Sequence, residues 1–201
     1  MLKMTVMWSC SSFVSYLLVF MNKYFEGSIF TNNYIEGAAG ILASQMGGTL
    51  YARYGMKRSF IFSFGLSLLG GVLIFLLESH LVPVPASILL SFPGPIKNQR
   101  EMALIYLVPK LAFIAKLGIH IAFLCTYQAS FSDDTIFPAA KRATSIGYCQ
   151  LIARSLTILA PEVTELKKPL PIMFQSGMVL LALMVSLTFN DSSSSVKTKK
   201  V

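Results

Sequence analysis

The sequence predicts an all-α membrane protein of six transmembrane helices. Of its 201 residues, 54% are hydrophobic and only 13% are charged, against about 25% charged in a soluble domain, so too few charges exist to coat a water-facing surface. The apolar residues gather into runs long enough to cross roughly 30 Å of hydrocarbon as helices. The basic residues fall mostly in short loops between those runs. The net charge of +8 therefore reads as a topology signal and not as a nucleic-acid footprint, because no basic face forms.

The spans are expected near residues 5–25, 33–52, 59–77, 103–127, 143–163 and 170–189. Lys3 precedes the first, as in a signal peptide. However, Ser9 to Ser12 interrupt its start and no small-residue cleavage site comes before Lys23, so it reads as a span. The fourth is the least hydrophobic. It carries Lys110, Lys116 and His120, and Pro109 is expected to kink it. The fifth runs from Ala143 to Val163 with Arg154 in its middle. Between the third and fourth lies the longest loop, Glu78 to Glu101, with Pro83, Pro85, Pro93 and Pro95. Its apolar centre, Leu81 to Phe92, is too short to span and too rich in proline for a regular helix, which places it at the outer interface. Residues 1–190 thus form one six-helix bundle, and 191–201, a serine run followed by lysines, form a disordered cytoplasmic tail.

With the N-terminus cytoplasmic, nine basic residues lie inside and five outside. This bias supports cytoplasmic placement of both ends. Cys10, Cys125 and Cys149 fall in predicted spans without metal or disulfide spacing and read as small packed side chains. His80 and His120 have no metal-ligand spacing and no phosphate-cradling glycine loop exists, so neither an enzyme nor a cofactor is expected.

The candidate site residues are the charges inside spans. A cation at bilayer depth costs about 2.5–3.5 kcal/mol on insertion scales and marks a polar interior by default. Arg154 grips an anionic solute, pairs with a buried acid such as Glu36, or reaches toward an interface. Lys116 is expected at mid-span on the solute path. Lys110, six residues earlier on another face, is expected to snorkel. Glu36, in the first turns of span two, can couple to protons, neutralise Arg154 or lie exposed at the interface. His120, one turn after Lys116, either relays protons or packs through a hydrogen bond. Tyr16, Tyr148 and Gln150 are candidate solute contacts, each with helix packing as the alternative.

Two loops carry a resemblance to a known family. Gly48-Thr49-Leu50-Tyr51-Ala52-Arg53-Tyr54-Gly55-Met56-Lys57-Arg58 resembles the cytoplasmic G-x-x-x-D-R-x-G-R-[RK] signature of the major facilitator superfamily. Gly48, Arg53, Gly55 and Lys57 match, while Ala52 and Met56 replace the usual aspartate and arginine. Phe137-Pro138-Ala139-Ala140-Lys141-Arg142 and the subsequent Gly147, Cys149, Arg154 and Pro161 look like the E-L-[FY]-P-T-x-x-R segment of organic ion transporters within that superfamily. Pro138 and Arg142 keep the spacing, and Thr135 replaces the glutamate. Trp8, Gly27 to Phe30 and Lys116-Leu117-Gly118 come in the family's order, over residues 8 to about 162.

The resemblance implies half of a major facilitator superfamily fold, the C-terminal six helices. It also implies that Arg154 stands where anion-carrying relatives tend to have arginine, and that Lys116 matches a basic position of the family. The function expected from it is secondary transport of a small organic solute, an organic ion with an anion favoured or a sugar-like molecule, by alternating access. A missing N-terminal half or a homo-oligomer would complete the cavity within the lipid bilayer. The alternative is a non-transporting truncated fragment or membrane interaction subunit.

Overall fold

The computed structural model describes residues 1–25, 28–79, 96–132 and 136–189, the side chains of 96–103 excepted. Those residues form helices α1 (Leu2–Met21), α2 (Ile29–Glu78), α3 (Ile96–Ser132), α4 (Arg142–Thr157), α5 (Ala160–Thr164) and α6 (Leu170–Leu187), with a single 3-10 turn at Ala139–Lys141. No strand occurs among them. The fold is all-α, and four stretches are long and apolar enough to cross a membrane: Leu2–Met21, Ile29–Glu78, Leu104–Ser132 and Leu170–Leu187.

The 50-residue α2 is two helices joined at Gly55, whose φ of 77° and ψ of 176° lie outside helical space. Only glycine occupies that region without strain, because any Cβ there meets its own backbone. The arms, residues 29–54 and 56–78, coincide with expected spans two and three, and each has the length of a membrane-crossing helix. Ser59 donates its hydroxyl to the Gly55 carbonyl at 2.8 Å and so tidies the start of the second arm.

Contacts between helices fix their directions. Trp8 on α1 donates its indole N–H to Ser130 near the end of α3 at 3.0 Å, while Asn22 after α1 reaches Lys116 earlier on α3. The two helices are therefore antiparallel. Glu36 meets Lys116 and His120, and Gly47 meets Leu124, so the first arm of α2 runs parallel to α3. Gly70 lies against Ala115 and Ser67 against Gly118, so the second arm runs opposite to α3. Phe60 stacks near Phe189 and Gln175 bonds the Ser67 carbonyl, which sets α6 antiparallel to that arm.

Small residues make these approaches possible. Ser59, Ser63, Ser67 and Gly71 recur every fourth position of the second arm, and all four are buried. A Cβ on Gly118 would stand 2.6 Å from the Ser63 carbonyl oxygen, and one on Gly70 would stand 2.6 Å from the Ala115 backbone nitrogen. Here backbone meets backbone, as in helix pairs that associate in lipid through small residues.

Two expectations change. Residues 143–163 are not one helix. α4 ends at Thr157, four residues before Pro161, which has no N–H for the Thr157 carbonyl and whose ring collides with it. Beyond the break the chain forms only the five-residue α5, so this segment is not among the four long apolar helices. α3 starts at Ile96 rather than near 103 and continues helical through Pro109. The loop centre expected at the outer interface, the tail 191–201 and His80 lie outside the described residues.

Gly118→Val should separate the second arm of α2 from α3. Backbone atoms cannot swing aside as side chains do, so overpacking should cost about 1–3 kcal/mol or more. Thermal unfolding of the purified chain in detergent checks this. Gly177→Ala, inside α6 where a Cβ meets nothing within 4 Å, should not lower the melting temperature, since alanine is the better helix former.

Candidate functional site

Two charged clusters emerge, and they divide the expected residues between them. The first lies where α3, the first arm of α2 and the turn after α1 meet. The Lys116 side chain is only 1% exposed, and its Nζ lies 2.9 Å from Glu36 Oε2. The other Glu36 oxygen, Oε1, lies 2.7 Å from His120 Nε2. One carboxylate thus bridges two nitrogen bases that sit one turn apart on α3, as the i, i+4 spacing of a helix dictates.

Asn22 completes the shell around Lys116, whose ammonium donates to the Asn22 Oδ1. The Asn22 amide is aimed by its own partner, since its Nδ2 donates to Asn33 Oδ1 at 3.1 Å. Asn32, buried beside it, donates to the Asn22 and Phe25 carbonyls at 3.0 and 3.4 Å. These bonds satisfy carbonyls of the turn that follows α1. The Phe25 ring lies 5.8 Å from Nζ and adds a cation–π contact. A buried charge persists when it is paired and hydrogen-bonded, and Lys116 is both.

The second cluster is Arg154 with Tyr16. The guanidinium donates to the tyrosine hydroxyl and stands over the ring, 5.4 Å from its centre. Arg154 is exposed, as are Tyr148, Leu151 and Ile152 on the same helix. Gln150 is half-buried one turn before Arg154. Glu36 is committed to Lys116 and His120, so the expected alternative of an Arg154–Glu36 pair is not what the chain adopts. Lys110 lies over Tyr106, apart from both clusters, with Nζ 5.4 Å from the ring centre.

The conformational-loop candidates gather at one end of the bundle. Gly55 makes the break between the arms, Arg53 and Arg58 are exposed, and Lys57 is half-buried. A Cβ on Gly48 would sit 3.4 Å from the Gln128 amide. Arg142 donates its Nε to the Phe137 carbonyl at 3.4 Å, bracing the turn into α4. Lys3 joins this end through the Thr188 carbonyl at 2.8 Å.

The opposite end is closed by ion pairs. Lys23 and Glu165 lie 2.8 Å apart, and Lys168 lies 3.3 Å from Glu78. The hydrogen bond between Lys23 and Glu165 raises the amine above its ordinary range and lowers the carboxyl below its own. All three cysteines are buried and free. Among the described residues no group of His, Cys, Asp and Glu could hold a metal ion. No family model, curated protein or solved structure matches this chain.

Sequence reading joins His120 to Lys116 through their one-turn spacing and singles out Glu36 apart from them, but misses Asn22, Asn32 and Asn33. Their signal is amides bordering an apolar helix, which spacing alone does not join to a lysine some ninety positions later.

Lys116→Met should be strongly destabilising, by about 3–5 kcal/mol, because Glu36 loses the cation that offsets its burial. Adding Glu36→Gln to it should recover part of that loss. A double-mutant cycle of unfolding in detergent measures the coupling, and additive losses would show that the pair contributes no mutual stabilisation.

Proposed function

We propose that this chain is an integral membrane protein that carries a small organic anion by alternating access, with Arg154 as its basic contact and Lys116 enclosed in an ion pair behind it. The observation that carries the reading is the Lys116–Glu36–His120 cluster inside helices able to cross a membrane. Ionisable groups in such helices are costly, and those that persist mark a solute or ion path.

In this reading the chain crosses the bilayer six times, α2 supplying two crossings and α4–α5 the fifth. The helix directions support it: α1, the two arms of α2 and α3 alternate, and α6 runs as α3 does, as one crossing between them would require. Both termini would be cytoplasmic, on the side of Lys3, Arg53, Lys57, Arg58, Lys141 and Arg142. The break at Pro161 fits a fifth helix that lines a cavity, because interrupted helices are tolerated where protein or water meets the freed carbonyls.

Arg154 would hold a carboxylate or sulfonate with its forked N–H groups, while Tyr16 keeps the guanidinium in place. An arginine exposed on an apolar helix face also calls for a second polar wall opposite it. A separate polypeptide or a second copy of the chain would supply that wall. This same feature supports the other reading, an interaction subunit that lends its face to another membrane protein without transporting.

Uptake of radiolabelled organic anions into proteoliposomes, with and without a candidate partner half, separates the two readings. Transport predicts saturable uptake in the wild type and a loss of about 10-fold or more in Arg154→Ala, the size expected for one charge-assisted contact. No uptake under either condition would favour the non-transporting subunit.

A further inference from the structure

We propose that one end of the bundle, where the reversal at Gly55 meets the starts of α1 and α4, is a docking surface for anionic phospholipid headgroups, with Arg53, Arg58 and Lys141 as the contacting cations. The inference rests on the reading that the chain spans a membrane and is independent of what it carries.

Charge is shared unequally between the two ends. In the six-crossing arrangement nine basic residues fall at the end of Lys3 and five at the other. The five meet five carboxylates, Glu26, Glu78, Glu101, Glu162 and Glu165, whereas the nine meet only Asp133, Asp134 and Asp191. One end is therefore balanced, while nine bases less three acids leave the other at +6.

Side-chain contacts divide in the same way. At the balanced end Lys23 lies 2.8 Å from Glu165, and Lys168 lies 3.3 Å from Glu78. At the positive end Lys3 and Arg142 donate to the Thr188 and Phe137 carbonyls. Arg53, Arg58 and Lys141 are exposed there and make no hydrogen bond or ion pair among the described residues.

These cations border one continuous surface. Lys3 stands 5.6 Å from the centre of the Phe189 ring, which stacks on Phe60, one turn after Lys57. Thr5 lies 3.4 Å from Cys149, two turns into α4 from Lys141. Helices begin and end at this level, so in a membrane-spanning chain it is the level of the headgroups. Tyr54 is exposed beside Arg53, as aromatic residues are at that depth. Like charges gathered without acids repel one another, and a lipid phosphodiester supplies the missing counter-charge. A guanidinium can grip two phosphate oxygens at once. Each basic residue near an anionic leaflet adds affinity of about 5-fold. Free phosphate has the same chemistry, but the bilayer holds headgroups against this surface at high density.

Electron paramagnetic resonance of the chain in phosphatidylcholine vesicles tests the proposal. Spin-labelled phosphatidylglycerol or spin-labelled phosphatidylcholine is added, and the fraction of label immobilised at the protein is read. Phosphatidylglycerol should be preferred several-fold, and the preference should fall in about 1 M NaCl, where charges act over only about 3 Å. Arg53→Gln, Arg58→Gln and Lys141→Gln together should remove most of it. Lys23→Gln with Glu165→Gln, which deletes a neutral pair at the other end, should leave it unchanged. Equal immobilisation of the two lipids by the wild type, or a preference that survives the triple substitution, overturns the docking surface. A preference abolished by inorganic phosphate, but not by NaCl of equal ionic strength, shows a small-anion site and overturns the assignment to lipid. No immobilised label of either kind overturns the membrane reading, and the docking surface with it.

Discussion

Lys116 places an ammonium group almost wholly out of contact with solvent in a helix long and apolar enough to cross a membrane. Such a charge has to be compensated on the spot, and the means of compensation dictate much of the local architecture. Glu36 has to come from α2, which draws its first arm alongside α3. The Asn22 oxygen has to come from the end of α1, which stops that helix at the depth of Lys116 and turns the chain there. Asn32 and Asn33 then hold the turn. Losing either member of the ion pair would strand the other, a heavier cost than never having had the pair.

The close packing behind Lys116 serves the same end. Gly118, two residues on, presses its backbone against Ser63 and Ser67 of the second arm, and Gly70 presses against Ala115. α3 is thus held between the two arms of α2, one side by charge and the other by backbone contact. Gly55 permits this by reversing the chain between the arms in a conformation that only glycine adopts without strain. Charge and close packing are complementary here: contact through small residues has no chemical specificity, while the Lys116–Glu36 pair fixes which turn faces which.

Much of this is legible in the sequence. The long apolar runs mark the helices, and Gly55 between basic residues marks the reversal inside α2. Lys116 and Glu36 stand out because charges are scarce in apolar helices. Pairing is what escapes. Arg154 and Glu36 are natural partners when only opposite charge is considered, yet helix directions bring Glu36 to α3 and leave Arg154 against Tyr16. The fifth segment reads as one helix because hydropathy counts residues and ignores the hydrogen bond that Pro161 withholds from Thr157. The asparagines escape notice because an amide at a helix end is ordinary until a buried lysine is found beside it.

The central claim is that Lys116 and Glu36 touch inside the bundle. Solid-state NMR on the chain in lipid bilayers, labelled with ¹⁵N-lysine and ¹³C-glutamate, reads this contact as a dipolar coupling between the ammonium nitrogen and the carboxylate carbon. A strong coupling is predicted from a Lys116 signal that resists exchange with bulk water and vanishes in Glu36→Gln, while the exposed Lys23–Glu165 coupling survives. A spectrum in which Glu36→Gln leaves every lysine–glutamate coupling unchanged would contradict it.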